Sequence, residues 1–354
     1  MKRSSKSSYC VGLGITLLFW GCGVDRINLP EPPPGRFSQD GNPIDSNNER
    51  GGSTDPNEGN TTTPPGENID DEKLEDPKNP GSESEGNNSG EDLPLPSPLP
   101  PTENSDWPQI NDWWASGYFK VKTTENVGPG RGFTLYEPIK SDPSFTEPSP
   151  VIFWANATST PVGAYKALHS QLASHGFVVL AGDDSSTGKG EQLIEGLDWV
   201  MTEPKEIETK IDTNKIGALG HSQGGASVVV VASHDKRLKA IVPIQPDCNF
   251  WVNCKSPEDI TAPTLVLVGS SDVLVPAKTA RDKVYSKLTT TGMLATMERA
   301  DHTSWMREAP SKLGGPVLAW LRIHLMADGK AYNDLLGDNC TLCQGSWTFE
   351  ANGL

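Results

Sequence analysis

Lys215-Ile-Gly-Ala-Leu-Gly220-His221-Ser222-Gln223-Gly224-Gly225-Ala-Ser-Val-Val-Val-Val-Ala-Ser-His234 is the stretch whose reading decides the fold. KIGAL is a short apolar run suited to a buried strand, and ASVVVVASH has the character of a helix. Between them lies G-x-S-x-G. A serine at the tip of so tight a strand-to-helix turn needs strained backbone angles, and the strand and helix must pass close to each other. Gly220 and Gly224 carry no side chains to collide there. Ser222 is thereby raised above the sheet edge, with the start of the following helix aimed at negative charge forming beside it. Alone the pattern is weak; between a buried strand and a helix it is specific.

Outward from this turn, short apolar runs alternate with helical segments. GYFKVKTT and GFTLYEP read as two leading strands, and VIFWAN (151–156) and FVVLAG (177–182) as buried ones. A helix is expected from about Val162 to Ser174, and EQLIEGLDWVMTE has apolar residues at helical spacing. LKAIVPIQ and PTLVLVG are further strands, and GGPVLAWLRIHLMADG reads as an amphipathic closing helix. The alternation predicts an α/β domain over residues 106–354, with a mostly parallel central sheet covered by helices on both faces.

A serine alone is a poor nucleophile and needs a base held by a carboxylate. At an elbow of this kind the partners follow in the order serine, acid, histidine, with the acid just past a later strand. Asp272 stands after PTLVLVG, and Asp247, one strand earlier, is the alternative. Of the two histidines beyond Asp272, His324 falls in the closing helix, whereas His302 lies in a loop after the strand-like LATMER. His169, His175, His221 and His234 all precede the acid. Donors for an oxyanion, worth roughly 3–4 kcal/mol each, are expected at the backbone N–H of Gln223 and in the loop after VIFWAN, at Ala157 or Thr158. Asn156-Ala157-Thr158 also spells a glycosylation sequon, as do the sites at Asn60 and Asn87; these are read as coincidence. Nothing in the pattern calls for a cofactor or a metal.

The N-terminal third has a different composition. Residues 1–22 combine Lys2, Arg3 and Lys6 with an apolar run too short for a comfortable span, ending at Gly21-Cys22. This resembles the lipobox of bacterial lipoproteins, which implies lipidation of Cys22 and a membrane anchor; the alternative is an ordinary secretory signal. Residues 23–105 hold 18 Asp/Glu against 5 Lys/Arg and few apolar residues, the signature of a disordered acidic tether. The chain carries a net charge of −16. The tether holds most of it, and the remainder has no basic footprint for nucleic acid. In an exported chain the four remaining cysteines are expected as disulfides, Cys248–Cys254 and Cys340–Cys343, because neighbours in sequence close short loops. A monomer is expected.

GFTLYEP, LASHGFVVLAG, KIDTNKIGALGHSQGGAS, LKAIVPIQP, PTLVLVGSSDVLVPA and the loop with His302 together resemble the chlorophyllase-like and poly(ethylene terephthalate) hydrolase branch of the α/β-hydrolases, relatives of bacterial cutinases, over nearly all of residues 115–350. The resemblance implies the α/β-hydrolase fold, a Ser222, Asp272 and His302 triad, and Thr158 and Gln223 as oxyanion donors. Polyester-degrading members carry aromatic residues where this chain has Thr158 and Asp247; Trp251 and Trp305 are candidates for an aromatic wall instead. The implied activity is a secreted or surface-tethered serine carboxylesterase acting on a small, lipid or polymeric ester. A peptidase or amidase uses the same triad, and a non-catalytic binding lipoprotein is the third alternative.

Overall fold

In the computed structural model, which describes residues 106–353 except 144, 203, 251, 308–313 and 339, the apolar runs become strands. In chain order they are β1 Lys120–Val127, β2 Phe133–Ile139, β3 Ser149–Ala155, β4 Val178–Gly182, β5 Ile211–His221, β6 Leu238–Ile244, β7 Thr264–Gly269, β8 Gly292–Met297 and β9 Trp347–Asn352. Between them lie α1 Lys166–Ser174, α2 Glu191–Val200, α3 Gln223–His234, α4 Ala277–Lys283, α5 Ser304–Arg307, α6 Gly314–Met326 and α7 Gly329–Leu335. The readings made for residues 1–22, Cys22, 23–105 and Trp251 lie outside the described residues.

The strands form one sheet in the order β1-β2-β4-β3-β5-β6-β7-β8-β9. The run from β4 through β8 is parallel, β2 is antiparallel to both its neighbours, and β9 closes the far edge antiparallel to β8. Side chains of a strand alternate between faces, and β3 shows why it reads as a continuous apolar run. Ile152 and Trp154 enter the core under α1 and α6, whereas Val151, Phe153 and Ala155 enter the core under α2 and α3. This is the expected α/β-hydrolase arrangement.

Three expectations change on inspection. The helix expected from Val162 begins as a 3-10 turn, Val162–Tyr165, before α1 takes over. The segment read as an amphipathic closing helix, α6, is buried on nearly every side. It packs on β5, β6, α1 and α7, and Trp114 covers Gly315 so closely that a Cβ there would sit 2.6 Å from the indole. Its one charged residue, Arg322, is 1 % exposed and is held by Asp328 Oδ2 at 2.5 Å and the Pro108 carbonyl at 3.1 Å. Nor does α6 close the chain, since α7 and β9 follow. As an edge strand β9 is only partly buried, so it lacks the unbroken apolar run that marks an inner strand.

Two disulfides are formed. Cys248–Cys254 closes the loop after β6 and Cys340–Cys343 closes a turn between α7 and β9, with Cα separations of 5.1 and 5.3 Å. Among the described residues no helix is long and apolar enough to cross a membrane.

Candidate active site

Ser222 joins β5 to α3 at φ 56°, ψ −117°, outside the regions an ordinary residue occupies. Its neighbours hold it there. Its N–H donates to the Ile244 carbonyl at 2.9 Å, and its carbonyl accepts from Ala226 at 3.0 Å and Asp247 at 3.1 Å. A Cβ on Gly220 would lie 2.4 Å from the Gly224 carbonyl oxygen, and one on Gly224 would lie 2.2 Å from the Ala155 carbonyl oxygen. Both glycines are therefore steric requirements.

The close approach at Gly224 brings the start of α3 against the end of β3, where the 156–158 loop departs. Asn156 fixes that loop. It is fully buried; its amide donates to the carbonyls of Gly182 (2.6 Å) and Asp184 (3.0 Å) and accepts from the Trp154 indole (2.9 Å). An amide so engaged is closed to glycosylation. The turn continues with Ser159 donating to Ser185 and Thr160 to Ala157. The first N–H groups of α3, beginning with Gln223, have no acceptor within the helix.

Asp272 and His302 come together. Asp272 Oδ2 lies 2.6 Å from His302 Nδ1, while its Oδ1 accepts from the N–H groups of Leu274 (2.8 Å) and Val275 (2.9 Å). The carboxylate stands past β7, and His302 lies in the turn after β8, the neighbouring strand. The imidazole reaches back to the elbow, its ring centroid 4.7 Å from that of His221. The Ser222 hydroxyl makes no hydrogen bond to His302 here, a contact that commonly tightens only when substrate is bound. Asp247 is not brought to His302; its Oδ1 accepts from Asn249 (3.3 Å) and Phe250 (3.1 Å) instead.

One feature escaped the sequence reading. His221 is completely buried, with Nδ1 hydrogen-bonded to the Tyr165 hydroxyl at 2.8 Å. Burial, and next the proximity of His302, hold its pKa well below the ordinary histidine range. The ring against His302 is therefore a neutral one. Burial also raises the Tyr165 phenol, opposed in part by hydrogen bonding from the Ala157 backbone and the Thr160 side chain. His221 sits inside the elbow motif, but Tyr165 is 56 residues away, and nothing local announces the pair.

Three other histidines are structural. His169 sits among Tyr136, Trp154 and Tyr165 and is lowered to about 3 by burial. His175 and His324 are each lowered to about 4, again chiefly by burial. Trp305 is 1 % exposed, so it belongs to the core and supplies no aromatic wall. Among the described residues no group of three or more His, Cys, Asp and Glu is placed to hold a metal ion.

A family model described as PETase, PET hydrolase-like, matches residues 113–350. The chain is 31% identical over 162 residues to cutinase est1 of Thermobifida alba, an alignment covering 44% of this chain and 53% of the relative. It is 28% identical over 229 residues to cutinase 1 of Thermobifida cellulosilytica, covering 59% and 80% respectively. It is also 28% identical over 229 residues to the bis(hydroxyethyl) terephthalate hydrolase of Streptomyces coelicolor, covering 62% and 69%. Against the first of these cutinases, then, the chain spans about half of the relative's length.

Proposed function

This chain belongs to the PET hydrolase-like family, and we propose that it is a serine carboxylic ester hydrolase working through Ser222, His302 and Asp272. The observation that carries the reading is the 2.6 Å contact of His302 Nδ1 with Asp272 Oδ2, with the imidazole packed on His221 next to a serine held in a strained elbow. Relatives named cutinase and bis(hydroxyethyl) terephthalate hydrolase support esters, polyesters included, as the substrate class.

Ser222 Oγ attacks the ester carbonyl while His302 Nε2 takes its proton. Asp272 holds the imidazole in the tautomer with hydrogen on Nδ1 and stabilises the imidazolium that forms. The carbonyl oxygen becomes an oxyanion received by the N–H of Gln223 and by the 157–158 loop. Thr158, or its neighbour Ala157, is the loop donor. His302 then protonates the leaving alcohol, and water, deprotonated by His302, releases the acid from the acyl-enzyme. A neutral His221 beneath the ring adds no positive charge to oppose formation of the imidazolium.

Labelling by a fluorophosphonate tests the reading. Wild type should be labelled at Ser222 and should hydrolyse p-nitrophenyl esters, and Ser222→Ala should do neither. An unlabelled, inactive wild type would sink it. Export and anchoring belong to the same proposal: Cys22 is lipidated and residues 23–105 tether the hydrolase to a membrane. A palmitate analogue should label the wild type and not Cys22→Ser; persistent label in the variant would overturn the anchor alone.

A further inference from the structure

Among the described residues the large apolar side chains left exposed are Tyr118, Ile139, Met201, Phe250, Val273 and Leu274. Three of the six stand within three residues of Asp247 or Asp272, at the C-terminal ends of the adjacent strands β6 and β7. Ser222 presents its hydroxyl at this same end of the sheet, at the end of β5, the strand on the other side of β6.

The two stretches share one construction. Asp272 Oδ1 collects the N–H groups of Leu274 and Val275, turning Val273 and Leu274 outward at 93% and 65% exposure. Asp247 Oδ1 collects those of Asn249 and Phe250, turning Phe250 outward at 84%. Gln245, fully buried, staples the stretches together. Its side-chain oxygen accepts from Gly269 at 2.7 Å, and its amide donates to the Val275 carbonyl. Asp247 also donates its N–H to the Ser222 carbonyl, so the Phe250 backbone is two hydrogen bonds from that of the nucleophile.

The exposure of Phe250 is imposed by the loop. Cys248, Val252 and Cys254 are buried, the disulfide ties the loop ends together, and Cys254 Sγ rests on the Ala226 carbonyl of α3. A slack loop would fold a phenyl ring inward, since burying it is favourable. This loop, pinned at both ends, leaves the ring exposed. The ring is held in water at the end of the sheet that carries Ser222, where a partner with apolar surface gains from meeting it.

We infer that Phe250 is a specificity-determining residue, forming with Val273 and Leu274 an apolar rim that receives the hydrocarbon chain of a long-chain ester. The inference rests on the ester hydrolase reading above and names the substrate feature that the rim selects. The test compares kcat/KM for p-nitrophenyl laurate with that for p-nitrophenyl butyrate, both kept below their aggregation limits. The laurate-to-butyrate ratio should fall about tenfold in Phe250→Ser, the order of effect one apolar subsite supplies. It should be largely restored in Phe250→Leu. Met201→Ser, a control that removes an exposed apolar side chain elsewhere, should keep the wild-type ratio. A Cys248→Ser/Cys254→Ser variant, which frees the loop, should lose selectivity in the direction of Phe250→Ser. An unchanged ratio in Phe250→Ser, or an equal fall in Met201→Ser, overturns the inference. A wild type that hydrolyses neither ester sinks the ester hydrolase reading instead, so the two failures are told apart.

Discussion

Asp247 and Asp272 occupy matching places past neighbouring strands, are equally buried at 5 % exposure, and each uses Oδ1 to cap the turn that follows. Only Asp272 has His302 on its other oxygen. Burial and turn capping therefore do not distinguish the aspartate that meets His302 from the one that does not; the strand order does. Along β5-β6-β7-β8, the histidine leaves from β8 and the carboxylate beside it leaves from β7. Asp247, after β6, is drawn under the nucleophile, where its N–H holds the Ser222 carbonyl.

The largest expected effect separates the two directly. Asn keeps an Oδ1 to cap the turn and loses only the negative charge and the acceptor on the other branch. Asp272→Asn should therefore lower kcat by roughly 10⁴ with the fold intact, whereas Asp247→Asn should cost less than about threefold. Steady-state kinetics on p-nitrophenyl butyrate decide it, and a larger loss in Asp247→Asn would reverse the assignment. Ser222→Ala and His302→Ala should each lose about 10⁴ or more. Their double mutant should be little worse than either, because the two residues act as one unit.

Both aspartates depend on a scaffold whose own acid limit is set elsewhere. His169, His175 and His324 are buried with pKa values held at about 3, 4 and 4, below the usual 6.5 of an unfolded chain. Between those values the unfolded chain binds more protons than the native one, so stability falls as pH is lowered from 6.5 towards 4. The slope should approach about 1.4 kcal/mol per pH unit for each histidine. Denaturant titrations across this range should show it, and His324→Gln should flatten it; a flat wild-type profile would mean that these imidazoles are not sealed from water.

Removing the turn caps should make the two aspartates look alike again. Asp247→Ala and Asp272→Ala should each lose about 1–2 kcal/mol of stability, measured by urea unfolding, although only the second abolishes turnover. Unequal losses would show that the two turns differ energetically as well as chemically. The smallest effect concerns the ring beneath His302. Tyr165→Phe, which frees His221 Nδ1, should lower kcat about five- to tenfold, the worth of one hydrogen bond of about 1 kcal/mol. Comparing this variant in the Asp272 and Asp272→Asn backgrounds sharpens the point. If Tyr165 positions His302, its effect should shrink once Asp272 no longer orients the ring.

Local physics made much of the molecule legible in one dimension. The elbow is a steric statement about adjacent residues, Gly220, Ser222 and Gly224, and so it is written in sequence. Strands buried on both faces announce themselves as unbroken apolar runs, and an acid followed by a histidine past later strands is a matter of chain order. What depended on neighbours distant in the chain was not legible. Apolar patterning could not reveal that α6 is covered all round, because the residues covering it, such as Trp114, lie some two hundred positions upstream. The half-exposed β9 left too little apolar pattern to read, and Trp305 had equal claims to wall and core until packing buried it. The Tyr165–His221 pair joins residues on separate elements. So does the Gln245 staple that ties the stretch after β6 to the stretch after β7. Sequence by itself determined which residues could do the chemistry, since that follows from side-chain type and local backbone strain. Chain order already favoured Asp272 over Asp247 as the partner of His302, and the contact itself comes from the neighbouring places of β7 and β8; tertiary structure alone decided which apolar side chains stay in water, because that depends on how distant segments pack.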